Sequence, residues 1–169
     1  MKVDQKYPRL RAAMGAALLC AGLGLAPAEA PASQPHDTLN TLNTLDMSAY
    51  KGRVVYLDFW ASWCAPCKMS FAYMNQLRAS YPDKDLAIVT VNLDHNRAAA
   101  AGFLGAVGGH LPVTYDAQGA LAGRYGVATM PTTVLFDRNG KQRFVHKGYF
   151  PNKQGEYGAH VAALVAEHP

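Results

Sequence analysis

A pair of cysteines at the junction between a strand and a helix constrains the fold of this chain more than any other feature. Cys64 and Cys67 follow directly after residues 54–59, a short β-branched and aromatic run that suits a buried strand. After the cysteines, residues 65–80 favour a helix that Pro82 stops. Both thiols therefore lie at the start of a helix, with Pro66 in the first turn, where its missing N–H costs nothing.

This position gives the two thiols different chemistry. Unpaired backbone N–H groups and the positive end of the helix dipole stabilise a thiolate on Cys64, which lowers its pKa below the free value of about 8.5. Cys67, one turn further into the helix, should be more buried and less acidic. We therefore expect Cys64 to attack the disulfide of a partner and Cys67 to resolve the mixed disulfide.

Two other interpretations of the cysteine spacing are a zinc half-site and a purely structural disulfide. A tetrahedral zinc site needs two further ligands, yet residues 29–169 hold no third cysteine, and the histidines show no close pairing along the chain. A structural disulfide across so small a loop removes little entropy from the unfolded chain. We expect no metal and no cofactor beyond the redox-active Cys64–Cys67 disulfide itself.

The N-terminal residues 1–28 have the pattern of an export signal. Basic residues extend to Arg11, an apolar stretch follows from Ala12 to Ala26, and small residues suited to cleavage come next. We therefore expect cleavage after Ala28. An uncleaved membrane anchor is the alternative, although the stretch is short for the roughly 20 residues that a span needs. A lipid attached at Cys20 is less favoured, because Leu19 stands where a small residue is expected.

Charge excludes nucleic acid as a partner of the remaining chain. From Glu29 onward, 12 Lys and Arg face 11 Asp and Glu, a net charge of +1 with no basic run that could follow a phosphate backbone. Residues 29–44 are rich in Pro, Ala, Ser and Thr and are interpreted as a linker. Residues 45–169 then form one domain, expected to be monomeric and exported, for example to the periplasm.

The domain alternates strands and helices and closes with a hairpin and a helix. Strands are predicted over 54–59, 86–93, 112–115, 132–136 and 142–146, and helices over 65–80, 96–107, 119–125 and the C-terminal residues around 157–165. The turn 137–140, Asp-Arg-Asn-Gly, should pair the last two strands antiparallel. The order indicates an α/β domain with a central mixed β-sheet covered by helices on both sides.

Two segments carry a family resemblance. Residues 58–68, DFWASWCAPCK, resemble the active-site segment of the thioredoxin superfamily, and Ala61-Ser62-Trp63-Cys64 resembles its exported TlpA- and ResA-like branch. Residues 126–133, GVATMPTT, resemble the loop that carries the cis-proline of the family. Cys67 and Pro131 are 64 positions apart, more than in a minimal thioredoxin, and the surplus around 96–115 matches the helix-strand insertion of TlpA-like proteins.

The resemblance implies several site residues. Pro131 is expected to be cis and to face the two cysteines, whereas a trans proline at the start of a strand is the alternative. Met130 would offer backbone hydrogen bonds to an extended substrate. Trp63 would flank the sulfur of Cys64 and, with Pro66, shape the docking surface; the alternative is a packing role for Trp63.

Asp58 aligns with the buried carboxylate of thioredoxins, and its place in an apolar strand supports that assignment. Burial should raise its pKa, so that the carboxyl group can relay a proton to or from Cys67. The alternative is a carboxylate satisfied by backbone donors. In one subgroup a Glu follows the second cysteine, but Ser70 replaces it here, so the role of that Glu does not transfer.

The expected activity is reduction of protein disulfides. Strongly oxidising relatives carry a His between the cysteines, which Ala65 and Pro66 do not provide. By family analogy the electrons would come from a membrane protein of the DsbD or CcdA type, and apocytochrome c thiols or mispaired exported proteins are candidate clients. Thr132 stands where the cytochrome-maturation subgroup has Glu, which argues against a dedicated role in cytochrome c maturation.

Other activities stay open. The pair could act as a dithiol oxidase or isomerase, or the domain could be a non-catalytic module that binds copper or thiols. A copper-delivery protein would have one more residue between its cysteines, and a peroxiredoxin would need a Pro-x-x-x-Thr-x-x-Cys setting that is absent before Cys64.

Overall fold

The computed structural model describes residues 45–108 and 110–167. The expected signal, anchor and linker in residues 1–44 lie outside the described residues, as does Gly109. In chain order the elements are β1 (Val54–Trp60), α1 (Ala65–Ser80), β2 (Leu86–Asn92), α2 (Arg97–Val107), β3 (Val113–Tyr115), α3 (Ala120–Arg124), β4 (Thr132–Phe136), β5 (Gln142–Lys147) and α4 (Gln154–Ala166). Two short 3₁₀ turns, Met47–Tyr50 and Pro151–Lys153, were not predicted from the sequence.

The five strands form one mixed sheet in the order β3-β2-β1-β4-β5. β1 pairs parallel with β2 and antiparallel with β4, and β5 continues antiparallel beside β4. All seven residues of β1 are buried, because helices cover both faces of the sheet at its centre. The predicted mixed sheet with a closing hairpin is confirmed.

Alternate residues of β1 feed two separate cores. Val54, Tyr56 and Trp60 pack with α1, α2 and α4 on one face. Val55, Leu57 and Phe59 pack with α3 and the turn at 47–50 on the other. This division follows from the two-residue period of a strand. Asp58 belongs by the same period to the face that α1 and α4 cover.

The predicted insertion consists of α2 and β3. The side chain of Asn96 accepts a hydrogen bond from the N–H of Ala98 and caps α2. Gly108 ends the helix with a φ of 65°, a conformation that favours glycine. β3 then adds to the sheet in parallel, with Val113 beside Thr90 of β2.

The buried side of α1 follows the helical period rather than a strict spacing of four residues. Met69, Tyr73, Leu77 and Tyr81 lie four residues apart, but each residue turns a helix by about 100°, so that a spacing of four drifts by about 40° per step. The buried stripe therefore passes through Cys67 and its helical neighbours, and 44% of Met69 is exposed. Within the described part of the chain, no helix is long and apolar enough to cross a membrane.

Candidate active site

The two cysteines form a disulfide at the start of α1. The S–S distance is 2.03 Å and the Cα atoms are 5.4 Å apart. Cys64 is the N-cap residue of α1, with φ −84° and ψ 103°, and Pro66 lies in the first turn, as predicted. The loop from Trp60 to Cys64 thus delivers the first sulfur to the N-terminal end of the helix.

Exposure differs around this disulfide. The exposed fraction is 4% for Cys64 and 0% for Cys67, while that of the neighbouring Trp63 is 70%. The expected order of burial for the two cysteines is therefore observed. A large exposed indole beside a nearly buried disulfide provides an apolar contact surface at this edge of the molecule.

The loop before β4 reaches the same edge of the sheet. Thr132, the first residue of β4, lies opposite Phe59 near the end of β1, so that Pro131 comes to the edge from which the cysteine loop departs. The Met130–Pro131 peptide bond is cis, as the family resemblance implied. Pro131 is buried, and Met130 packs against the core cluster that contains both cysteines.

The backbone of this loop is only partly paired. The carbonyl of Pro131 accepts a hydrogen bond from the N–H of Gly148 at 2.7 Å. Among the described residues, neither the N–H nor the carbonyl of Met130 has a backbone partner. Met130 thus keeps a donor and an acceptor at the edge where the disulfide lies.

Asp58 is a fully buried carboxyl group behind the cysteine motif. Its Oδ1 accepts hydrogen bonds from Thr133 Oγ1 at 2.7 Å and from Ser70 Oγ at 3.3 Å, and Oδ2 has no partner. Burial raises the pKa of Asp58 to about 7, because desolvation outweighs the two hydroxyl donors, which lower it. The predicted upward shift is confirmed, and the donors are hydroxyl groups rather than the backbone N–H groups of the alternative.

Ser70 links Asp58 to the cysteines. Ser70 lies three residues after Cys67, and side chains at this spacing share one face of a helix. Both are completely buried, so the face of α1 that carries Cys67 is the face that covers Asp58. The two cysteines, Asp58 and the Met130–Pro131 loop therefore meet at one end of the sheet.

A second buried carboxylate anchors the loop before Cys64. Asp94 Oδ2 accepts hydrogen bonds from the N–H of Ser62 at 2.9 Å and from Asn92 Nδ2 at 2.8 Å. Its Oδ1 accepts a bond from Ser62 Oγ at 3.0 Å. Because Asn92 pairs with Trp60 in the parallel β1–β2 ladder, the residues that follow β2 lie beside the cysteine loop.

Sequence reasoning missed Asp94, Asn92 and the roles of Ser70 and Thr133. A signal was present for the first two, since Asn92 ends a buried strand and Asp94 follows it, at the carboxyl end of the strand that comes next along the chain after the motif. No comparable signal marks Ser70 and Thr133, because small hydroxyl residues are common in buried helices and strands.

Comparisons with known proteins agree with this geometry. A family model described as Redoxin matches residues 26–161. The thiol-disulfide oxidoreductase ResA of Bacillus anthracis is 35% identical over 97 residues, which make up 57% of this chain and 56% of that protein. The chain thus matches little more than half the length of this curated relative.

Two solved structures are also similar. A putative thiol:disulfide interchange protein DsbE from Chlorobium tepidum shares 42% identity with this chain at a TM-score of 0.68. The match covers 71% of this chain and 85% of the DsbE chain. The exposed lipoprotein thioredoxin Etrx1 of Streptococcus pneumoniae shares 30% identity with this chain at a TM-score of 0.59. That match covers 70% of this chain and 90% of the Etrx1 chain. These likenesses confirm the thioredoxin-like fold and the resemblance to the ResA-like branch.

Proposed function

Because the chain belongs to the redoxin family, we propose that it is a thiol-disulfide oxidoreductase that reduces protein disulfides outside the cytoplasm. The observation that carries the proposal is the Cys64–Cys67 disulfide at the N-terminal end of α1, with the carboxyl group of Asp58 behind it. The disulfide is the only redox group that the proposed reaction needs.

The reaction begins from the reduced dithiol. The start of α1 stabilises the thiolate of Cys64, which attacks a substrate disulfide. A mixed disulfide forms between Cys64 and one substrate sulfur, the substrate S–S bond breaks, and the other substrate sulfur leaves as a thiolate. Cys64 is the sulfur in contact with substrate, because it is the less buried of the two.

The second step releases the substrate. Asp58 removes the proton of Cys67, and the new thiolate attacks the sulfur of Cys64. The Cys64–Cys67 bond forms while the mixed disulfide breaks, and the second substrate sulfur leaves and is protonated. Two electrons have then passed from the dithiol of the protein to the substrate.

The surface around Cys64 suits an extended protein segment. Trp63 is exposed beside the sulfur, and Pro66 is half-buried in the next turn. The unpaired backbone groups of Met130, next to the cis Pro131, can pair with the main chain of a substrate, while Trp63 contacts its side chains. Such main-chain pairing favours unfolded or loosely folded clients over native domains.

Reduction is the proposed direction because nothing between the cysteines adds to the stability of the thiolate. Ala65 and Pro66 carry no side-chain donor, so the reduced form is not stabilised as it is in strongly oxidising proteins. A reductase outside the cytoplasm needs a source of electrons, and a membrane protein of the DsbD or CcdA type fits that need. The signal pattern in residues 1–28 supports export, and the name of the pneumococcal relative describes an exposed lipoprotein.

Reduction of insulin disulfides by the purified protein tests this proposal. With dithiothreitol as electron source, we expect the wild-type protein to accelerate insulin precipitation and Cys64→Ala to be inactive. Cys67→Ala that has been reduced beforehand and freed of dithiothreitol should accumulate a mixed disulfide with insulin that is visible on a non-reducing gel. Full reductase activity of Cys64→Ala would contradict the mechanism, and an inactive wild-type protein would favour a binding module.

A further inference from the structure

A row of buried polar residues crosses the sheet beneath α1 and α4. Thr90 of β2, Asp58 of β1, Thr133 of β4 and His146 of β5 lie at paired register positions. All four side chains are buried. Polar groups in such a position are costly unless they are hydrogen-bonded, so the pattern of their bonds is informative.

The bonds to Asp58 are one-sided. Thr133 and Ser70 both donate to Oδ1, from β4 and from α1 respectively. The single hydroxyl hydrogen of Thr133 is used in that bond, so that at the 3.4 Å contact between Thr133 Oγ1 and Tyr56 OH the phenol is the donor. Three hydroxyl groups thus stabilise negative charge on Oδ1, directly or through Thr133, and Oδ2 has no partner.

We propose that Ser70 and Thr133 are positioning residues that hold Asp58 by Oδ1 and leave Oδ2 as the atom that takes and returns the proton of Cys67. The inference rests on the proposed function, because Cys67 has a proton to exchange only if the pair turns over. An oxygen that accepts two hydrogen bonds is the less basic of the two, so the proton binds at the unpartnered one. Ser70 lies one helical turn beyond Cys67 and therefore fixes the carboxyl group relative to that sulfur.

The two hydroxyl groups also oppose the effect of burial. Burial raises the pKa of Asp58 to about 7, and each hydroxyl bond lowers it by favouring the ionised form. Without them the carboxyl group would stay protonated at neutral pH and could not act as a base. Thr133, at the shorter distance, should contribute more than Ser70.

Other titratable groups on this face are distinguishable from Asp58. Besides the cysteines, the buried ones are Tyr56 on β1, Tyr73 on α1, His146 on β5, Tyr149 after β5 and Tyr157 on α4, with the half-buried His160 of α4 beside His146. Burial raises the pKa of Tyr149 above its usual value. Burial raises the pKa of Tyr56 well above its usual value and that of Tyr73 to about 12. Burial, reinforced by the charge of His160, lowers the pKa of His146 to about 4, so these four groups stay uncharged near pH 7.

The test is a carbon-13 NMR titration of the Asp58 carboxyl group in the oxidised full-length protein. We expect the inflection to move upward in Thr133→Val by about one pH unit, since a hydrogen bond to a charged group is worth at least that much. Ser70→Ala should give a smaller upward shift, and the double variant a larger one. Thr133→Ser keeps the hydroxyl group and should restore the wild-type titration.

Thr90→Val is the matched control. Thr90 lies beside Asp58 on β2, but its hydroxyl group donates to the carbonyl of Pro112 at 2.9 Å. We expect Thr90→Val to leave the Asp58 inflection in place. His160→Gln removes the histidine on α4 that contacts His146 and should leave the inflection unchanged as well.

The outcomes separate the two hypotheses. The positioning role is overturned if the Asp58 inflection stays in place in both Thr133→Val and Ser70→Ala. It is also overturned if Thr90→Val moves the inflection by the same amount as these variants do. If Thr133→Val does not fold, Ser70→Ala carries the same test. The pH profile of insulin reduction should follow the NMR data and move to higher pH in Thr133→Val. A wild-type protein whose Asp58 titrates as expected but which reduces no insulin would contradict the proposed function alone.

Discussion

At the scale of single residues, Asp58 couples the chemistry of the site to the stability of the fold. A fully buried carboxyl group with one unpartnered oxygen is expensive to ionise. Its pKa rises from 3.8 to about 7 through desolvation, so the folded protein binds this proton more tightly than the unfolded chain does. The contribution of the protonated group to stability is complete below pH 3.8 and is lost as the pH rises through 7.

Asp58→Asn should therefore remove a pH dependence. We expect the oxidised variant to match the wild-type free energy of unfolding near pH 4 and to exceed it at pH 8 by up to roughly 4 kcal/mol, the value of a shift of about three pKa units. Urea denaturation at both pH values measures the difference. If the difference in free energy of unfolding between Asp58→Asn and the wild type is the same at pH 4 and pH 8, then Asp58 is ionised in the folded protein across that range.

Asp94 is the residue whose loss should damage the site through the loop that precedes Cys64. Asp94→Ala leaves the N–H and hydroxyl of Ser62 and the amide of Asn92 without their acceptor. We expect a loss of roughly 2 kcal/mol in the free energy of unfolding, because the buried amide of Asn92 loses its acceptor at a cost of about 1–3 kcal/mol, while the half-buried Ser62 can pair with water instead. The kcat/KM for insulin reduction should fall several-fold.

Asp137→Ala is the control for that variant. Asp137 is a buried carboxylate that accepts hydrogen bonds from the N–H groups of Asn139 and Lys141, in the turn at the opposite end of β4 from Pro131. We expect it to lose comparable stability and to keep its kcat/KM. Equal kinetic losses in both variants would contradict a specific role of Asp94 in placing the cysteine loop.

At the scale of elements, local signals predicted the fold well. The bounds of α1 and β4 agree with the sequence-based expectation, because Pro82 stops α1 and the turn at 137–140 ends β4. The insertion was predicted differently, from the 64 positions between Cys67 and Pro131 and the resemblance to TlpA-like proteins. The pairing of Ser62 with Asp94 was not predicted, since it depends on which strand lies beside β1.

Chemistry shared by several elements was harder still to predict. The environment of Asp58 combines a hydroxyl group from α1 with another from β4, and no local pattern marks either. The carboxyl group itself was identified through the family resemblance, supported by its place inside an apolar strand. A single buried charge thus signals a site, while its neutral partners become visible only in the folded structure.

The packing of α4 on β5 should respond to acid. His146 Nε2 and His160 Nδ1 are 2.9 Å apart, and the ring of Phe144 stacks on His160 at 4.0 Å. Burial lowers the pKa of His146 from 6.5 to about 4, so its contribution to stability is present above pH 6.5 and is lost as the pH falls toward 4. We expect amide protection factors of α4 to drop over that range more than those of β1.

Hydrogen exchange monitored by NMR measures this difference. His146→Phe removes the titrating group and keeps an aromatic ring against Tyr157, so α4 in this variant should lose less protection between pH 6.5 and 4 than in the wild type. Unchanged acid sensitivity of α4 in His146→Phe would assign the effect to another group.

At the scale of the whole molecule, the sheet order assembles the site. β1 delivers the cysteine loop, β2 delivers Asp94 beside it, and the loop before β4 brings Pro131 to the same edge. These strands are neighbours in the sheet, although the chain between them is long. The site therefore rests on the central strands of the sheet, and we propose that the exposed Trp63 is the part that meets a substrate.

The reduction potential of the Cys64–Cys67 pair tests the central claim most directly. Equilibration of the full-length protein with defined ratios of reduced and oxidised dithiothreitol, followed by thiol trapping, measures it. We predict a value near that of thioredoxin, about −270 mV, because no side chain between the cysteines stabilises the thiolate further. A value near that of DsbA, about −120 mV, would contradict the proposed reductase and make the protein an oxidant.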